Sequence, residues 1–173
     1  MIPILYRPEE RDFTSNGIGR LNDCISCTVT EERNGIYELE FKYPITGKWF
    51  DWLVKNGGCI GVFHDDKHDI QPFDVYSYSA PINGIVTFYA HHISYRLNDV
   101  LLEPFTVGSI TSLMNSIPNH AVTNCPFTFW TDKLVSAQFT VKYPSNCKAI
   151  LAGKTGSILD VYGKANMNII FSM

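Results

Sequence analysis

Five stretches of this chain carry side chains that chemistry uses, and their spacing decides what each can do. Cys24-Ile25-Ser26-Cys27 has the CxxC spacing of redox and zinc motifs. It falls in a run that alternates like a strand, where residues three apart point to opposite faces, so two separate thiols are expected. His64-Asp65-Asp66-Lys67-His68-Asp69 would put His64 and His68 on one helix face at metal-ligand spacing. The segment lies between two predicted strands with Lys67 in its middle, and reads as a solvated loop. His91-His92 ends a strand with its rings on opposite faces, and no nucleophile elbow accompanies it. Gly153-Lys154-Thr155-Gly156-Ser157 imitates a phosphate loop, but the upstream glycine of that motif falls near Pro144 and the helix precedes the loop. Glu38 and Glu40 share a strand face as a solvated or partner-facing pair, not as acid and base. No catalytic residue, cofactor or metal ligand is expected.

The elements that would position these residues are mostly strands. Leu21 to Pro44 reads as a hairpin about Asn34-Gly35, two residues that tolerate positive φ. On its second arm Tyr37, Leu39, Phe41 and Tyr43 take one face, and Ile36, Glu38, Glu40 and Lys42 the other. On the first arm Ile25, Cys27 and Val29 alternate with Cys24, Ser26, Thr28 and Thr30. Pro3 to Tyr6 reads as a short edge strand, followed by a polar loop from Arg7 to Gly19. Lys48–Asn56 has Trp49, Phe50 and Leu53 at helical spacing and stops at Gly57-Gly58. Strands are expected at Cys59–Phe63, Gln71–Ser79 and Ile85–Ile93, giving five or six strands and one helix.

From about Tyr95 the pattern changes. Leu97–Leu102 fits a helical turn or a strand equally. Ile110, Leu113, Met114 and Ile117 mark a helix over Val107–Ile117, ended by Pro118. Short strands are expected at Phe127–Trp130 and Gln138–Lys142. A helix capped by Ser145 would stop at Gly153, and another, Ile158–Tyr162, would be capped by Ser157. Met167–Phe171 reads as the start of a strand, and the abrupt end at Met173 suggests a piece of a longer protein.

Composition narrows the function classes. The 173 residues are 45% hydrophobic, with eleven Phe, nine Tyr and three Trp, which favours sheet. A formal net charge of -3 argues against a nucleic-acid binder with a basic stripe. The start MIPILYRPEE is too short and lacks the basic residues of an export signal, and five cysteines is an odd number, so reduced thiols and cytosolic folding are expected.

IPILY at the start, NGIYELEFKYP, QPFDVYSYS, AHHISYRLND and GKTGSILDVYG stand in a fixed order along the chain. As an ordered set they resemble the N-terminal region of phage tail-tip hub proteins, the phage minor structural or prophage endopeptidase tail family. The resemblance covers nearly the whole chain. It departs after GSILD, where a Gly-Gly-Glu-like turn is replaced by Gly163-Lys164-Ala165-Asn166.

The resemblance implies a β-rich α+β chain. Residues 1–100 would form a tail-tube-like β-barrel domain with a short helix. Residues 101–173 would begin an α+β insertion domain, cut short. It further implies a structural hub similar to the baseplate hub of contractile-tailed phages, located at the virion tail tip and assembled in the bacterial host cytoplasm. Its partners would be the distal tail and tube ring proteins and, at full length, two further copies of itself. Viral DNA would pass without specific binding, and there would be no membrane insertion. Any endopeptidase activity would lie in absent C-terminal domains.

Glu31, Glu32, Arg33, Asn34, Glu38, Glu40 and Lys42 are the expected partner interface, from the hairpin tip and its polar face. Two rival readings make different demands. A cell-wall peptidase would need a cysteine within reach of His91 or His92. A carbohydrate-binding module would need Trp49, Trp52 or Trp130 exposed as a platform.

Overall fold

Tyr37, Leu39, Phe41 and Tyr43 lie along the middle of a seven-stranded sheet. The computed structural model describes residues 2–32, 35–64, 69–131, 133–152 and 155–162. Two compact units divide the chain, Met1–Ile93 and Ser94–Met173. Both mix helix with strand; strands predominate in the first, and short helices outweigh short strands in the second.

The first unit contains β1 (Ile4–Tyr6), β2 (Gly19–Arg20), β3 (Ser26–Glu31), β4 (Tyr37–Pro44), helix α1 (Phe50–Asn56), β5 (Cys59–His64), β6 (Asp69–Tyr78) and β7 (Ile85–His92). Its antiparallel sheet runs β2-β1-β5-β6-β7-β4-β3 and curls into a half-barrel. Register sets the inner face: Leu39 lies opposite Ala90, Phe41 opposite Phe88 and Tyr43 opposite Val86. These residues join Leu5, Leu21, Ile60, Phe73 and Leu53 of α1 in one core. The Phe41 and Phe88 rings stack with centroids 5.0 Å apart. Gly57, at φ 68, ends α1 by donating its N–H to the Leu53 carbonyl, since glycine tolerates that conformation.

Several expectations change at this level. Ile4–Tyr6 is not an edge strand: it is fully buried between β5 and β2, a two-residue strand without a sequence signal. The loop behind it folds over the opposite face, where Tyr6 Oη donates to the Ser15 carbonyl at 2.8 Å and its ring packs on Phe13. Around this contact Ile4, Tyr6, Cys59 and Ile93 form a second small core. Toward the hairpin tip Glu31 pairs with Tyr37 and the Glu32 N–H reaches the Ile36 carbonyl. The buried face of β4 dictates this register. Of the expected Asn34-Gly35 turn, Asn34 lies outside the described residues. In β6 the register shifts between Val75 and Ser77, so Tyr78 pairs with Phe88 on the inner side and Ser77 turns outward.

The second unit contains β8 (Leu101–Leu102), β9 (Phe105–Val107), α2 (Ile110–Ser116), β10 (Phe139–Val141), β11 (Ser145–Asn146), α3 (Cys147–Leu151) and α4 (Ile158–Tyr162). Its strands form two small antiparallel pairs, β9 with β10 and β8 with β11. Leu102, Ile110, Leu113, Ile117, Cys147 and Ile158 are fully enclosed in its core.

The ambiguous run before Leu102 resolves as a 3-10 turn, Ile93–Asn98, followed by β8. The expected helix from Val107 starts at Ile110, because Ser109 Oγ caps it by accepting the Ser112 N–H at 3.1 Å. Phe127–Trp130 is not a strand. Phe127 and Phe129 are buried, and packing rather than a ladder holds them. The cap of α3 is Asn146, not Ser145, with Oδ1 accepting the Ala149 N–H at 2.7 Å. Both Gly153 and Met167–Phe171 lie outside the described residues.

Candidate functional site

The half-barrel has one face packed on its core and an opposite face that, along β3, β4, β7 and the end of β6, carries mostly polar side chains. Alternation places Glu38, Glu40 and Lys42 there. Across the ladder Glu38 aligns with His91 and Asp74, Glu40 with Tyr89 and Ser77, and Lys42 with Thr87. On the other side the same three residues align with Thr30, Thr28 and Ser26 of the edge strand. Tyr76, the extra residue of the β6 irregularity, stacks on the His91 ring with centroids 4.9 Å apart. The result is a broad polar surface with aromatic islands, bounded by the edge strand β3, of which every residue but Cys27 is exposed.

The seven expected interface residues do not all share that surface. Glu31 pairs with Tyr37 and therefore belongs to the inner-face set, at the exposed end of β3. Glu32 is exposed at the tip. Arg33 and Asn34 lie outside the described residues, as do residues 65–68 of the His64–Asp69 cluster and Gly153-Lys154.

The histidines and cysteines occupy distinct surroundings. His92 is buried, 3.2 Å from Gln71 Oε1, and stacks on Tyr37 at 4.3 Å. Cys59 is aligned with Asp74, which is aligned with His91, so two strand spacings of about 4.8 Å each separate the thiol's backbone from that histidine. Trp49 and Trp52 pack against the core of the first unit, whereas Trp130, in the second, is half exposed. Among the described residues no three His, Cys, Asp or Glu side chains gather as a metal site. Among them, too, no helix is long and apolar enough to cross a membrane.

Comparison with protein-family models, curated proteins and solved structures finds no match to this chain. What can be said of the site therefore comes from its own geometry.

One pair behaves unlike the sequence reading. Cys24 and Cys27 both pack against the inner core. The reason is a doubled residue at the head of β3. Ile25 donates its N–H to the Lys42 carbonyl at 2.9 Å, while Ser26 is the residue registered opposite Lys42. Two residues facing one make a bulge, and a bulge shifts the alternation by one. Residues 24 and 27 thus reach the same side, and Ile25 is turned out and exposed. A bulge depends on how the partner strand is hydrogen-bonded, which the local pattern of residues 24–30 does not carry.

Proposed function

We propose that this chain is a structural component of a phage tail tip, the N-terminal piece of a hub that closes or adapts the tail tube. The observation that carries the reading is the curled seven-stranded half-barrel with one face packed and the other, along β3, β4 and β7, polar and open to neighbours. A ring-building domain needs this division: a stiff core for shape and a patterned face for docking. The ordered set of segments from IPILY to GKTGSILDVYG supports the same assignment.

In this reading the first unit is a tube-like barrel domain and the second begins an insertion domain. The ring partners are distal-tail and tube proteins, with homotrimers formed by the full-length hub. Enzymatic or receptor-binding domains follow further along that hub, in the virion tail tip assembled in the host cytoplasm. The formal charge of -3 suits a lumen through which DNA slides without adhering.

The test is reconstitution. The chain is mixed with the tail-tube and distal-tail proteins encoded beside it, then analysed by light scattering and electron microscopy. Ring-shaped complexes that contain the chain are expected. A chain that stays monomeric with each of those proteins, or a gene with no tail genes around it, overturns the reading.

A further inference from the structure

We propose that Cys24 and Cys27 form a working dithiol, which closes to an intrachain disulfide by exchange with a low-molecular-weight disulfide. The geometry at the head of β3 is its basis. The bulge at Ile25-Ser26 brings the two side chains to one side of the strand, where both pack against the same core. Both are partly exposed, whereas Cys59 and Cys147 are enclosed. The pair sits at the open edge of the sheet, where a small disulfide can approach without displacing a neighbouring strand.

The two thiols are not equivalent. The Cys27 side-chain hydrogen bond holds the Cys24 thiol below its ordinary value, and the same bond, reinforced by burial, pushes Cys27 up. Cys24 is therefore the attacking group, since the thiolate is the nucleophile in such exchange. In its neutral form the Cys24 thiol also donates to the Ser26 carbonyl at 3.2 Å, which fixes its position on the bulge.

The reaction balances with glutathione disulfide as oxidant. Cys24 gives its proton to solvent, and its thiolate attacks one sulfur of the disulfide. The glutathione S–S bond breaks as the mixed disulfide forms, and the expelled thiolate takes a proton. Cys27 then loses its proton and attacks the Cys24 sulfur, expelling the second glutathione, which is protonated in turn. The protein loses two electrons and two protons, and glutathione disulfide gains both. The S–S bond that forms is about 2.05 Å long.

The experiment treats the folded full chain with glutathione disulfide at neutral pH and follows intact mass and peptide maps. The native chain is expected to lose two hydrogens and show a Cys24–Cys27 link, formed roughly tenfold faster than any adduct at Cys125, whose thiol is pushed up by burial. Cys27→Ser should stop at one stable glutathione on Cys24, and Cys24→Ser should leave Cys27 unmodified. No reaction of the native chain, an adduct without the link, or equal labelling of the two single variants would each overturn the proposal. The native-chain result stands even where a variant fails to fold.

Discussion

The two units of this chain solve the same burial problem by different means. In the first, one continuous ladder carries the order: β4 is registered residue by residue against β3 on one side and β7 on the other. In the second, no strand among the described residues exceeds three residues, and a cluster of apolar side chains from three strands, three short helices and extended segments supplies the order. The first unit is thus specified by backbone pairing along a pattern, the second by the fit of side chains around α2. Substitutions should expose this difference.

The largest effects are expected in the cores. Phe41→Ala removes a fully enclosed ring stacked on Phe88 and should cost about 3–5 kcal/mol. Because the ladder is continuous, hydrogen exchange should speed up across β3, β4, β6 and β7 together. Leu113→Ala, on the buried side of α2, should cost about 2–5 kcal/mol, with faster exchange confined to Ser94–Met173. Spread of either effect through both units would show that they do not unfold as separate bodies.

Alkaline titration separates the units next. Burial first, then Glu31, pushes Tyr37 up to about 12, and burial does the same for Tyr43. A phenol with a raised folded value contributes stability fully below about pH 10 and loses it as pH climbs through about 12. In the second unit Cys147 is likewise raised by burial from 9.0 to about 12, so its loss begins nearer pH 9. Tyr43→Phe should weaken the alkaline loss in the first unit only. It should also cost about 1–3 kcal/mol, because the Trp49 N–H and the Asp23 carboxylate lose their shared hydroxyl. Denaturant titrations of both chains at several pH values would check this.

Caps and surface give the smallest effects. Asn146→Ala deletes the cap of a five-residue helix and should cost about 1 kcal/mol, read as faster exchange in α3. Glu40→Lys, on the polar face, should change stability by no more than about 0.5 kcal/mol. In the reconstitution with tube proteins it should nevertheless weaken assembly, which would separate a docking role from plain solvent exposure.

The same contrast explains what could be read from the residues alone. Alternation of Tyr37, Leu39, Phe41 and Tyr43 declares a half-buried strand, and Gly57 declares the end of α1, because both are local rules. β2 could not be read, since Gly19-Arg20 joins the sheet only through Ile4 and Leu5. The irregularities at Ile25-Ser26 and Val75-Ser77 escaped for a related reason: each depends on a partner strand's hydrogen bonding. In the second unit Phe127–Trp130 looked like a strand because alternation also arises when every other aromatic ring is pulled into a core. The polar face was legible through Glu38, Glu40 and Lys42. The meeting of Cys24 with Cys27 was not.

Ile4–Tyr6 leave the ribosome well before Cys59–His64, the longer strand they must join. Until that segment has been synthesised, three residues destined for complete enclosure have only the two-residue Gly19–Arg20 to pair with and the Phe13–Ser15 loop against Tyr6. Nascent chains arrested short of residue 59 are therefore the species that a chaperone would retain, and release should follow once β5 has cleared the exit tunnel.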